Sequence, residues 1–156
     1  MTWRGSTTVP DRIFASLPYL LPLVDGLAFG RFLFTQFPVL QLLLIPLAPL
    51  MQIYSLPFAS LIIFFALYLG VVRNENISHF IRFNAMQAIL LDIVLMLCGL
   101  VLPFSNGLQV AFITETLYNM VFLGAFAAFV YAVVQSLLGR YAEIPPLSDA
   151  VYMQVR

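Results

Sequence analysis

The chain has no lysine, one histidine and one cysteine. A lone cysteine, Cys98, excludes an internal disulfide and any zinc-ligand spacing. It sits in an apolar run and reads as a small buried core residue. A lone histidine, His79, excludes a histidine-based metal cluster or catalytic set. Beside Arg82 at a helix start, it reads as an interfacial polar residue. No metal and no cofactor is implied. Charge is scarce too: charged residues are 9% of the 156, too few to clothe the exterior of a soluble domain. Seven arginines balance seven acidic residues, so the net charge is zero. That leaves no basic footprint for nucleic acid.

What is present is apolar. Hydrophobic residues make up 62% of the chain and the mean hydropathy is +0.99. Apolar blocks cover residues 13–37, 39–72, 83–104 and 110–138. Each is long enough for one or more membrane-crossing helices of roughly 20 residues. The fold class is therefore all-α, an integral membrane bundle in contact with the lipid bilayer, with no room for a soluble catalytic domain. Residues 1–11 form a short polar N-terminal segment. No small-residue cleavage site follows the first apolar run, and no long Ser/Arg-rich transit segment precedes it. The chain reads as mature as written, or as separated from a targeting segment.

Prolines and polar turns divide the membrane domain, residues 12–139. Thr8 and Asp11 are placed to cap a helix starting near Arg12. Pro18 and Pro22 each remove an amide donor, and in lipid the freed carbonyls must be met by neighbouring helices. The first crossing, about 13–34, is thus expected to be kinked and packed against protein. The second block would make a helix of roughly 50 Å, too long for one crossing of a ~30 Å core, and Pro46, Pro49 and Pro57 divide it. Residues 39–54 are expected as a proline-broken interfacial or re-entrant helix, followed by a short crossing at about 56–72. Ser78 or Asn76 can cap the next helix, a crossing at about 80–102. Pro103, Ser105, Asn106 and Gly107 form a loop, and a long last crossing, about 110–138, should tilt or protrude. The polar, proline-broken tail, residues 140–156, is expected to be a flexible end. This gives four crossings in all.

Four crossings put both termini on one side. Arg4, Arg12, Arg73, Arg82, Arg140 and Arg156 then share that side, and Arg31 alone lies opposite. The positive-inside rule places the termini in the cytoplasm or the stroma.

Ionisable groups at membrane depth face protein or water, because lipid exposure is costly. Asp92 is the clearest case, near the middle of its helix. Asn84 and Gln87 precede it, and at about 100° per residue the three spread over an arc of roughly 140°. Asp25 lies late in the first helix. Glu115 and Asn119 are four apart, hence on one face of the last helix, with Glu115 read as interfacial. These groups either line a water-accessible path or hydrogen-bond between helices. Gly124 and Ala128 form a small-xxx-small pair that allows close helix packing.

Two stretches carry a family resemblance that covers about residues 12–138. One is RIFASLPYLLPLVDGLAFGRFLF, centred on PYLLPLVDG; the other is VVRNENISHFIRFNAMQAILLDIVL. Both resemble the channel-type, twenty-kilodalton subunit of the chloroplast inner-envelope protein translocon (Tic), in its cyanobacterial and plastid-encoded forms. Arg82, Asn84, Gln87 and Asp92 at fixed spacing in one membrane helix are the specific part of the match. The resemblance implies a multi-pass protein of the plastid inner envelope or a cyanobacterial cell membrane. It also implies a share in a polypeptide-conducting channel or its scaffold, with other translocon subunits as partners. A second copy of the chain and a polypeptide substrate are further partners in view. Two alternatives stay open: a small-solute or ion carrier using Asp92 and Asp25 as coupling groups, and a non-conducting membrane assembly factor. The absence of a nucleophile–base pair argues against an enzyme.

The arginine count makes a direct prediction. Tags at Met1 and Arg156 should resist protease added from the face carrying Arg31. Digestion of either tag from that face would overturn the four-crossing orientation.

Overall fold

The computed structural model describes residues 7–145 and 147–155, so Arg4 and Arg156 of the orientation count lie outside the described residues. Helix α1 runs from Val9 to Gln36. Its start is fixed by a reciprocal cap: the Thr8 hydroxyl accepts from the Asp11 amide, and the Asp11 carboxylate accepts from the Thr8 amide. Pro18 and Pro22 do not break it. The helix instead tightens to 3-10 geometry at Leu17–Tyr19 and Leu27–Gly30. Such turns re-route backbone bonds where a proline has removed a donor. Among the long helices it is the most buried, packed on both others.

The chain then turns away from the bundle. A 3-10 segment, Pro38–Leu44, leads to α2, Ala48–Tyr54, and neither buries a residue. After Pro57 the chain bends by 97° into α3, Ala59–Val72. The bend is made at Phe58, whose φ of 61° is left-handed, a conformation that costs an aromatic residue of order 1–3 kcal/mol. Helix α3 ends in a wide π turn over Tyr68–Val72, where the Arg73 amide reaches back to the Tyr68 carbonyl. Taken alone, α3 is roughly 21 Å long and falls short of a ~30 Å core. Among the described residues, three helices are long and apolar enough to cross a membrane; the bent pair α2–α3 adds a fourth span when taken together.

Helix α4, His79–Val101, is capped by the Ser78 hydroxyl and continues as a 3-10 segment, Leu102–Leu108. Pro103, where a loop is expected, is accommodated in that segment because 3-10 geometry tolerates a missing donor near its start. Helix α5, Ala111–Leu137, returns antiparallel and stops at Gly139, which takes a positive φ of 79°. Arg12 lies beside Gly139, Arg82 bonds to Val72, and Arg31 sits over Tyr118. Arg12, Arg73, Arg82 and Arg140 therefore gather at one end of the bundle and Arg31 lies at the other.

Helices α1 and α5 approach closely where α1 carries glycine. A Cβ on Gly26 would stand 3.2 Å from the Ala125 Cβ, and one on Gly30 would stand 2.9 Å from the Phe122 ring. Around this contact, Phe29 and Phe32 pack on Tyr118, and Phe34 packs edge-on against Phe122.

The tail departs from expectation. Instead of a flexible end, its described residues fold back, and α6, Leu147–Gln154, packs on α4. Ala142, Val151 and Val155 are buried, with Val151 and Val155 against Phe83, Met86 and Ile89. The polar composition hid a short apolar spacing, Leu147, Val151 and Val155, that recurs every four residues on one helical face. Burying a carboxylate there should be costly. Val151→Asp should destabilise the protein by about 3 kcal/mol, read as a lowered melting temperature in detergent. An unchanged melting temperature would mean the tail is not part of the core.

Candidate functional site

The polar residues of α4 converge where α1, α5 and the tail meet. Arg82, Asn84, Gln87 and Asp92 are all buried. Arg82 lies nearest the helix start and donates from Nε to the Val72 carbonyl at 2.9 Å. That bond secures the end of α3, where free carbonyls and the helix dipole favour a cation.

Asn84 and Gln87 form a knot with Tyr19 of α1. The Tyr19 hydroxyl donates to Asn84 Oδ1 at 2.7 Å, and Gln87 Nε2 donates to the Tyr19 oxygen at 2.8 Å. Ser136 of α5 donates to the same Asn84 Oδ1 at 3.1 Å. Asn84 Nδ2 bonds to the Phe80 carbonyl one turn earlier, at 2.8 Å. Gln87 also reaches the tail: its Nε2 donates to the Ala142 carbonyl, and its Oε1 accepts from the Ile144 amide at 3.2 Å. Two amide side chains thus join three helices and the C-terminal segment.

Beyond the knot, toward the cluster of arginines, the tail makes an aromatic seat. Tyr141 packs edge-on against Phe80 and Phe83, and its hydroxyl meets His79 Nδ1 at 2.8 Å. Tyr152 stacks on His79 and donates to Glu143 at 2.6 Å. His79 is therefore engaged with the tail rather than simply bathed at an interface.

Asp92 lies one and a half turns beyond Gln87 and makes none of these bonds. Neither of its carboxyl oxygens has a hydrogen-bond partner among the described residues. Asp25, on α1, is half-buried. Glu115 is at the opposite end, in an open recess with Arg31, Phe32, Thr35 and Gln36. Asn119 Oδ1 is buried without a partner among the described residues, and no hydrogen bond there joins Glu115 or Asn119 to the knot. The expected seam is thus two separate polar regions.

Gly124 does not pack helices within this chain. A Cβ there would meet nothing within 4 Å, and with half-buried Ala128 it lines a groove of ≈300 Å³ beside Pro22, Leu91 and Val94. Close packing uses Ala125, the next residue round the helix. A second apolar cavity of ≈480 Å³ separates the bent pair from α1, lined by Phe14, Leu17, Leu21, Tyr54, Ile63 and Leu67 among others.

Tyr19 and Ser136 are the members of the knot that the sequence reading missed. A hydroxyl at membrane depth must find a partner, and that requirement was the available signal in the PYLLP stretch. Arrangements of this kind define a multi-pass helical membrane protein.

Its family is given by its relatives. Residues 7–151 match the family described as chloroplast import apparatus, Tic20-like. A Tic20 family protein of Synechocystis sp. is 57% identical, over 94% of this chain and 93% of that protein. TIC 20-II, chloroplastic, of Arabidopsis thaliana is 41% identical, over 99% and 78%. The Tic20 family protein Ycf60 of Porphyra purpurea is 34% identical, over 99% and 80%. This chain belongs to the Tic20 family.

The knot predicts a specific loss. Gln87→Leu keeps the volume but removes both bonds to the tail. A cysteine placed at Ala142, buried in the wild type, should then react readily with a water-soluble maleimide. Equal labelling in both backgrounds would show that Gln87 does not hold the tail.

Proposed function

We propose that this protein is a membrane subunit of a polypeptide-translocating assembly related to the chloroplast import apparatus. Family membership across nearly the whole chain supports this. Its place is the plastid inner envelope or the corresponding cyanobacterial membrane, with both termini on the stromal or cytoplasmic side, and its role involves no catalysis.

One observation supports a scaffold over a conduit. The polar groups at mid-bundle, Tyr19, Asn84, Gln87 and Ser136, are bonded to one another and to the backbone. Groups committed this way do not line a water-filled path through a single copy. The reading favoured is a scaffold that contributes one wall of a path completed by other subunits or further copies. The bent pair is the mobile candidate for contact, because it buries little and touches the bundle mainly near Val72.

A photocrosslinker at Gln41 or Gln52 should capture membrane subunits or an arrested polypeptide in native membranes. The same probe at Ala132, inside the bundle, should capture neither. Capture at Ala132 but not at the bent pair would reverse the assignment. Purified protein alone should give no peptide-sized conductance in planar bilayers; such conductance would contradict the scaffold reading.

A further inference from the structure

At the end of the bundle away from the arginine cluster, α1 and α5 enclose an open recess of ≈570 Å³, lined by Arg31, Phe32, Thr35, Gln36 and Glu115. That volume is in the range of small-ligand sites. The Arg31 guanidinium lies over two rings, 4.7 Å from the centroid of Phe32 and 4.6 Å from that of Tyr118. The ring faces attract the cation and hold it in place. They leave its N–H groups to other partners, and none of these groups meets a hydrogen-bond acceptor among the described residues. Glu115 shares the recess, yet no ion pair or hydrogen bond joins its carboxyl to Arg31 among the described residues. The Thr35 hydroxyl is committed to the Arg31 carbonyl at 2.8 Å.

The recess lies at the level of the lipid rather than beyond it. Phe37, at the end of α1, and Phe112, at the start of α5, are exposed and stand nearer the tip of the bundle than Arg31 and Glu115. Inward of Glu115, α5 also exposes Met120 and Leu123. Exposed apolar surface thus runs on both sides of the recess. No charged residue besides Arg31 and Glu115 lines it. An occupant must bring an acceptor for the guanidinium, a donor for the carboxyl and apolar groups for the surface around them.

We propose that this recess binds the headgroup of a glycerophospholipid in the leaflet on the Arg31 side. Arg31 donates to the phosphate oxygens, a match that the planar guanidinium fork favours. The Glu115 carboxyl accepts from an N–H of the headgroup, as the ammonium of ethanolamine supplies. The acyl chains run inward along the exposed face of α5 at Met120 and Leu123. A choline headgroup carries the phosphate but no N–H, so it satisfies Arg31 and not Glu115. A polypeptide could meet the same two groups with its carbonyl and amide, but the apolar surface on both sides of the recess favours the lipid. The site rests on the contact of α1 with α5 and stands independently of the translocon reading.

Native mass spectrometry of the full chain, with added lipids of matched acyl chains, tests this. Phosphatidylethanolamine should be retained about tenfold better than phosphatidylcholine, the worth of a charge-assisted hydrogen bond. Its dimethyl derivative, which keeps an N–H, should side with it. Glu115→Leu should erase the preference while phosphatidylcholine stays bound. Arg31→Gln should weaken retention of every one of these lipids, and Arg73→Gln, at the other end, should change nothing. Excess soluble glycerophosphoethanolamine should not displace the lipid, and a photoreactive residue at Gln36 in native membranes should capture lipid. The proposal is overturned if the wild type holds both headgroups equally, if the dimethyl derivative sides with choline, or if either recess variant behaves as the wild type does. A loss with Arg73→Gln as large as that with Arg31→Gln would move the site to the other end and equally overturn it. Displacement by the soluble diester would make the ligand a free phosphodiester, and capture of polypeptide at Gln36 in place of lipid would make the recess a protein contact; either contradicts the lipid assignment. Should Arg31→Gln fail to fold, the headgroup series on the wild type and Glu115→Leu still decide the matter.

Discussion

Everything in this bundle is organised around a tyrosine hydroxyl wedged between two amides. In lipid, apolar helices gain no hydrophobic advantage by adhering to one another, so cohesion must come from close packing and interhelical hydrogen bonds. Tyr19, Asn84 and Gln87 supply those bonds at the one level where α1, α4, α5 and the tail all meet. The small contact at Gly26 and Ala125 supplies the close packing one level further on. Each bond alone is modest, about 0.6 kcal/mol on average in membrane proteins. Their value is in being shared: Asn84 Oδ1 serves two helices at once, so losing it frees two donors.

This arrangement divides the molecule into a firm part and a loose part. Helix α1, despite its two prolines and 3-10 turns, is the centre, packed on both α4 and α5. The bent pair is peripheral. It is attached near Val72 and Arg82 and is separated from α1 by an apolar cavity. A segment with few buried contacts opens at low free-energy cost, which suits the contact role proposed for it. The tail is the opposite case, a polar-looking stretch drawn into the core by Gln87 and by the buried faces of Val151 and Val155.

The all-helical membrane character was legible because hydropathy and length act locally and lipid permits few alternatives. The polar positions of α4 were legible as buried for the same reason. What was not legible depended on which helix faces which. Nothing in its own neighbourhood marks Tyr19 as the partner of a residue 65 positions away. Nor does the local pattern reveal that Gly124 faces outward while its neighbour Ala125 makes the contact. The tail was misread because its composition outweighed a four-residue apolar spacing. Glu115 and Asn119 share a face with each other but lie at the far end, since helix periodicity fixes direction around an axis and not the neighbour that stands there.

The central claim is that Tyr19 and Asn84 are coupled, and a double-mutant cycle measures this directly. Stability would be determined by reversible unfolding in mixed micelles for Tyr19→Phe, Asn84→Ala and the pair. The account predicts a coupling between about 0.6 and 1.7 kcal/mol, with the double variant less destabilised than the sum of the singles. Strict additivity would mean that the hydroxyl and the amide act independently, and the knot would not be what holds the helices together.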